Sequence, residues 1–138
     1  MYKRAQLSVL ESRMAESRRT IHVVMGPRQV GKSTMIDQFV EHTSVPYSLF
    51  SADGVGKTNT DWISEKWYEV RTKMMLYGEN EHILIIDEIQ KIAGWSETVK
   101  KEWDQDTRDK RNLKVILLGS SRLLIQKGLE ESLEGRYE

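Results

Sequence analysis

The stretch Gly26–Ser33 has residue types whose spacing suits the binding of a phosphate chain. It matches the pattern G-x-x-x-x-G-K-[ST] at every fixed position. The two glycines let the backbone wrap closely around a polyphosphate, so that consecutive N–H groups point inward. In this pattern Lys32 reaches the β- and γ-phosphates, and Ser33 offers a hydroxyl to Mg²⁺. The predicted nucleotide-binding residues are Gly26, Pro27, Arg28, Gln29, Val30, Gly31, Lys32, Ser33 and Thr34.

The segments on either side of this stretch predict the local structure that the pattern needs. Residues 21–25 are typical of a short buried strand, and residues 34–40 carry apolar side chains at helical spacing. The order is therefore strand, glycine loop and helix, and the helix N-terminus adds its positive end. The alternative is a turn between strand and helix that needs its glycines only for geometry.

Two acids, Asp87 and Glu88, follow a second apolar run, Ile83–Ile86. Such a run is typical of a central parallel strand that is covered on both faces. Ligands of open α/β sheets bind beyond the carboxyl ends of the strands, so these acids should share an edge with Gly26. We expect Asp87 to hold Mg²⁺, through water, and Glu88 to orient and deprotonate an attacking water. The alternative for the acidic pair is a charge pair at a helix N-terminus, which is common when such a pair occurs alone.

The segment Gly54–Thr58 resembles the end of a second phosphate loop, but its pattern is incomplete. The full pattern needs a glycine five positions before Gly56, where Ser51 stands. The residues after Thr58 are typical of a turn rather than of a helix that is already running. We predict a loop after the second strand, without phosphate binding.

Composition excludes several classes of protein. The 138 residues suit one domain, and 21 basic residues balance 21 acidic ones, so no net charge attracts nucleic acid or an anionic membrane. The chain has no cysteine and therefore no disulfide framework or cysteine metal site, which agrees with a cytoplasmic location. Its apolar runs are far too short to span a membrane, and no secretory signal is visible, so we expect no membrane partner.

Strands alternate with helices along the chain, which predicts an α/β fold with helices on both faces of a parallel sheet. Further strands are predicted at 45–50 and at 114–118. The first of these should lie at a sheet edge, because Pro46 is near its start. The charged stretch 104–112 is predicted to be a solvated connection. The glycine loop and the acids lie on different, nonadjacent strands, which favours the additional-strand class of three-layer P-loop NTPases, with the fourth strand between them. Ser120 would then lie between Lys32 and Glu88 and sense the γ-phosphate or the attacking water. The alternative for Ser120 is a plain turn and helix cap.

Three motifs in this order resemble the prokaryotic AAA-type ATPases that usually continue into a C-terminal domain of unknown function, often likened to a restriction-endonuclease fold. The motifs are Gly26–Ser33, Ile86–Lys91 and Leu118–Ser121, and the closing Ser132–Arg136 is similar to that family's S-L-x-G-R. The resemblance implies a RecA/AAA-like core, ATP and Mg²⁺. It also implies that Arg136 completes an active site, its own or that of a neighbouring copy in a homo-oligomer; an ordinary surface arginine is the alternative.

The same resemblance implies that the chain is the N-terminal part of a longer protein. In the family a fifth strand, a small helical portion and the C-terminal domain follow the arginine, and a DNA or protein partner would bind through that domain. Without the fifth strand, we expect the first strand to be an unpaired sheet edge prone to self-association. We also expect Arg136 to be frayed and this fragment to hydrolyse ATP poorly.

The leading hypothesis for function is Mg²⁺-dependent ATP hydrolysis coupled to a conformational change. The alternative is a nucleotide-gated interaction module with little or no hydrolysis, but such a module does not need a base at Glu88. Transfer of phosphate to a small acceptor is a third hypothesis, and no basic cluster suited to a second phosphorylated substrate supports it.

Overall fold

The computed structural model describes residues 2–25 and 32–138, with side chains for 7–25 and 35–138. The elements are α1 (Tyr2–Ala15), β1 (His22–Met25), α2 (Lys32–His42), β2 (Tyr47–Ser51), α3 (Trp62–Tyr77), β3 (His82–Asp87), a short 3₁₀ helix (Ile89–Lys91), α4 (Trp95–Arg108), β4 (Leu113–Gly119) and α5 (Arg122–Ser132). Strands and helices therefore alternate as the sequence predicts, in an α/β fold.

The described strands form one parallel sheet in the order β1-β4-β3-β2. β4 lies between the strand that precedes the glycine loop and the strand that carries Asp87, as predicted for the additional-strand class. β2 is an edge strand, in agreement with the position of Pro46 just before it. Each connection between parallel strands passes through a helix, which is why both faces of the sheet are covered.

Two apolar cores lie on the two faces of this sheet. Residues on successive positions of β3 belong to different cores, because side chains of a strand alternate between its faces. Ile83 and Ile85 pack with α1 and α2, whereas Leu84 and Ile86 pack with α3, α4 and α5. All four are fully buried, and burying a side chain of this size contributes roughly 1.5–3 kcal/mol. The prediction that this strand is covered on both faces is confirmed.

The prediction of a solvated connection at residues 104–112 is wrong over its first half. α4 continues through Arg108, and Asp106 within it is fully buried. Trp67 Nε1 donates a hydrogen bond to Asp106 Oδ2 at 2.8 Å, Arg71 Nε donates to Oδ1 at 2.9 Å, and Arg111 also pairs with this carboxylate. A charged side chain that looks solvated in the sequence is thus a buried link between α3 and α4.

The expectation that β1 is a bare sheet edge also needs correction. On the side away from β4, Ile21 N–H donates to Arg136 O at 2.7 Å, and Glu138 N–H donates to Ile21 O at 2.9 Å. Val23 N–H donates to Glu138 O at 2.9 Å, and Ile21 bridges Tyr137 in parallel. The last three residues therefore pair with the start of β1, and the strand order stays as predicted.

Among the described residues, no helix is both long enough and apolar enough to cross a membrane.

Candidate functional site

The carboxyl ends of the parallel strands bring the predicted chemical groups to one edge of the sheet. Met25, the last residue of β1, lies opposite Gly119 at the end of β4, and Ser51 at the end of β2 lies opposite Asp87. α2 begins at Lys32, shortly after the end of β1. This is the edge at which open α/β sheets bind ligands.

Much of the predicted phosphate loop lies outside the described residues, namely Gly26, Pro27, Arg28, Gln29, Val30 and Gly31. Lys32, Ser33 and Thr34 form the first turn of α2, where the structure describes the backbone alone. A helix that starts here agrees with the predicted order of strand, loop and helix. The phosphate contacts of these residues stay predictions.

Glu88 is buried at this edge and is held by two donors from different elements. Its side chain is 3% exposed, and its backbone adopts the left-handed conformation, with φ 55° and ψ 41°. This conformation is uncommon for a residue with a side chain and is often found at functional sites. Ser120 Oγ donates to Glu88 Oε1 at 2.8 Å, and Gln90 Nε2 donates to the same oxygen at 2.8 Å.

The two serines after β4 have different roles. Ser121 is the N-cap of α5, and its Oγ accepts a hydrogen bond from Leu124 N–H at 3.4 Å. Ser121 therefore caps the helix, which was the alternative role for Ser120. Ser120 contacts Glu88 instead, in the place between the first strand and the acids that the sequence predicts.

The sequence predicts no role for Gln90 or Gly119, although they lie in the motifs Ile86–Lys91 and Leu118–Ser121. Gln90 is 8% exposed, and its amide reaches from the short 3₁₀ helix to Glu88. A Cβ at Gly119 would lie only 2.7 Å from Gln90 Oε1, so the glycine provides the space for this side chain. The signal in the sequence is a glutamine two residues after the acid that is expected to activate water.

The loop after β2 also reaches this part of the molecule. Lys91 Nζ pairs with Asp53 Oδ1 at 2.6 Å, and Ala93 N–H donates to Lys57 O at 3.1 Å. The second Gly-Lys-Thr therefore lies in a loop, as predicted, and α3 begins only at Trp62. No helix N-terminus follows Thr58 directly, in contrast to the position of α2 after the first motif.

Arg136 lies away from this edge, at the start of β1. Its guanidinium binds Asp104 in α4 through two hydrogen bonds, from Nε at 2.8 Å and from Nη2 at 3.0 Å. The hydrogen bond from Arg136 lowers the pKa of Asp104, and the same bond raises the pKa of Arg136. The expectation of a frayed Arg136 is wrong, because both its side chain and its carbonyl are held. Its catalytic role stays a prediction.

The donor groups expected to hold Mg²⁺ suit that ion in chemical type. Ser33 and Asp87 offer hydroxyl and carboxylate oxygens, and Mg²⁺ in proteins is usually bound through one or two carboxylates, with waters and substrate phosphates completing its shell. No group of three or more His, Cys, Asp or Glu that could hold a metal occurs among the described residues.

Comparison with known proteins gives one family and one fold. A family model described as an AAA domain matches residues 18–138. None of the curated proteins matches the chain. Among solved structures, the chain is similar to a variant of RuvB from Thermotoga maritima, with a TM-score of 0.55 and 15% sequence identity. The match covers 93% of this chain and 39% of that RuvB chain, and at this low identity it shows the fold alone.

Proposed function

The chain belongs to the AAA domain family, and from that premise we propose that it binds ATP with Mg²⁺ and hydrolyses it to drive a conformational change. Its fold is that of a P-loop NTPase, and family and fold together indicate nucleotide binding and hydrolysis in general. The observation that carries the proposal of ATP hydrolysis is the buried carboxylate of Glu88. Ser120 holds this carboxylate at the edge of the sheet where α2 begins.

The proposed binding site combines the phosphate loop with the end of β3. Gly26–Thr34 would surround the triphosphate, with Lys32 as the cation that faces its β- and γ-phosphates. Ser33 and Asp87 would hold Mg²⁺, which neutralises charge on the phosphates when it is bound. Most of the catalysis would then come from positioning and from charge stabilisation.

Glu88 is the proposed base that orients and deprotonates the attacking water. Ser120 links this carboxylate to the end of β4, beside β1, and can report the state of the γ-phosphate to it. The arrangement favours hydrolysis over the alternative of a pure nucleotide-gated module, because binding alone does not require a carboxylate fixed in this place.

Arg136 is proposed to act on a nucleotide bound by a neighbouring copy in a homo-oligomer. Its carbonyl pairs with Ile21, at the opposite end of β1 from Gly26. The four residues of β1 span about 13 Å at 3.3 Å each, which places the Arg136 backbone about that far from the carboxyl end of β1. Asp104 would have to release the guanidinium when a neighbour docks.

Replacing the proposed base tests hydrolysis separately from binding. We expect Glu88→Gln to keep ATP and Mg²⁺ binding and to slow hydrolysis by ~10²–10⁴-fold, because the amide cannot accept the proton of the water. The measurement is single-turnover ATP hydrolysis together with an ATP titration. Glu97→Gln, an exposed site on α4, is the matched control and should turn over as the parent does. An unchanged rate in Glu88→Gln would remove Glu88 from the mechanism.

A further inference from the structure

Gln90 occupies an unusual position for a polar side chain. It belongs to the short 3₁₀ helix that follows the left-handed turn at Glu88, and only 8% of it is exposed. Its side chain lies between the end of β4 and α5, where its neighbours include Gly119 and the fully buried Ile125. An amide in such surroundings is unfavourable unless its hydrogen bonds are made.

The amide of Gln90 makes one hydrogen bond and leaves one acceptor unmatched. Nε2 donates to Glu88 Oε1, whereas Oε1 of Gln90 is buried without a hydrogen-bond partner among the described residues. The reversed amide would place its oxygen against the carboxylate oxygen of Glu88, so the observed orientation is the one in which Gln90 donates to Glu88. The side chain is thus arranged around Glu88 at the expense of its own acceptor.

Gly119 is the feature that makes this arrangement possible. A Cβ there would lie 2.7 Å from Gln90 Oε1 and 2.7 Å from Ile125 Cδ1, closer than real Cβ contacts allow. The glycine is therefore needed for space, and it lets Gln90 pack against both the end of β4 and α5. The residue after it, Ser120, supplies the second donor to Glu88.

We propose that Gln90 is a positioning residue for hydrolysis, which fixes the orientation of the Glu88 carboxylate and ties it to α5. Ser120 and Gln90 donate to the same oxygen from two different elements, so the carboxylate cannot rotate without losing one of them. A movement of α5 would act on Glu88 through Ile125 and the Gln90 amide, which gives the conformational change a route to the base. This inference rests on the proposed ATPase function.

The first test needs no nucleotide. In the ¹⁵N-labelled 138-residue chain, the side-chain amide protons of Gln90 should exchange slowly with water, because they are buried against Glu88. Gln126, whose exposed amide donates to Glu130 Oε2 at 3.2 Å, provides the matched comparison and should exchange fast. In Glu88→Ala the protection at Gln90 should disappear, while backbone amides of β3 keep theirs. Exchange at Gln90 as fast as at Gln126, or protection that survives Glu88→Ala, would overturn the proposal.

The second test separates positioning from binding. Gln90→Met keeps the length of the side chain and removes the donor, so we expect kcat to fall on the order of 10²-fold, with the ATP dissociation constant within about twofold of the parent. Gly119→Ala should act in the same direction, because its methyl group displaces Gln90, and Gln126→Met should leave both constants unchanged. A kcat within about twofold of the parent in Gln90→Met would overturn the positioning role. If the assembled parent protein does not hydrolyse ATP, the proposed function fails, and the exchange measurement still decides whether Gln90 holds Glu88.

Discussion

At the scale of single residues, Glu88 combines burial, a left-handed backbone and two donors on one carboxylate oxygen. A non-glycine residue in this conformation costs on the order of 1–3 kcal/mol, which the surrounding contacts must offset. Strain of this kind is often found at functional sites. The turn it produces directs the chain from β3 into the short 3₁₀ helix and so brings Gln90 back to the same carboxylate.

Arg136 allows a prediction about two sites in different copies. In an assembled homo-oligomer, the variants Arg136→Ala and Glu88→Gln should each hydrolyse ATP poorly when either is measured alone. Mixed together, they should regain part of the activity, because a Glu88→Gln copy can offer its arginine to a neighbour that keeps Glu88. The measurement is hydrolysis as a function of the mixing ratio. A mixture no more active than its two components would contradict action on a neighbouring copy.

At the scale of elements, the contact between α3 and α4 is a buried polar network beside an apolar seam. Arg71 binds Asp106 and also donates to Glu102 Oε1 at 2.8 Å, while Ser64 Oγ donates to Glu102 Oε2 at 2.7 Å. These partners are separated by 31 to 39 positions in the sequence. The network therefore fixes how the two helices dock on the sheet.

Asp106 is the group on which this docking depends most. Asp106→Ala removes the fully buried carboxylate that pairs with Arg71 and leaves Trp67 Nε1 without this acceptor, so we expect the free energy of unfolding to fall by about 3–5 kcal/mol. Asp109→Ala is the matched control, because it removes an exposed carboxylate one turn further along and should change stability much less. Urea denaturation measures both. Equal losses in the two variants would show that the buried network contributes little.

The sequence predicts most of the elements and fails where charges are buried. The apolar residues of α3 recur at helical spacing and are buried, namely Trp62, Ile63, Trp67, Val70 and Met74. Asp106 could not be recognised as buried, because its link to Arg71, 35 positions away, leaves no mark on the local sequence pattern. The ends of the predicted strands gave the positions of Asp87 and Ser120. The role of Gln90 could not be predicted, because it depends on the left-handed backbone of Glu88, for which the sequence has no signal.

At the scale of the whole molecule, the last three residues close the exposed side of β1. Three backbone hydrogen bonds join them to Ile21 and Val23, and Arg136 is anchored to α4 through Asp104. Each backbone bond contributes about 1 kcal/mol, and ordering three residues costs a similar total. This pairing is therefore expected to change stability little and to protect an edge that would otherwise recruit other strands.

Removing residues 136–138 tests that protection. We expect a chain that ends at Gly135 to self-associate at concentrations where the 138-residue chain does not, since the N–H and C=O groups of Ile21 and the N–H of Val23 lose their partners. Sedimentation velocity over a concentration series measures this. Glu138→Ala, which keeps the backbone pairing, is the control. Identical association of the shortened and the 138-residue chain would show that the outer edge of β1 does not recruit strands of other molecules.

The central claim is that ATP binds where α2 begins, and a titration with a fluorescent ATP analogue tests it most directly. Lys32→Ala should abolish tight binding with little loss of fold, because it removes the cation that faces two phosphates. Lys57→Ala, in the incomplete second Gly-Lys-Thr, is the matched control and should bind as the parent does. Equal affinity of Lys32→Ala and the parent chain would contradict the account, and so would a loss in Lys57→Ala as large as that in Lys32→Ala.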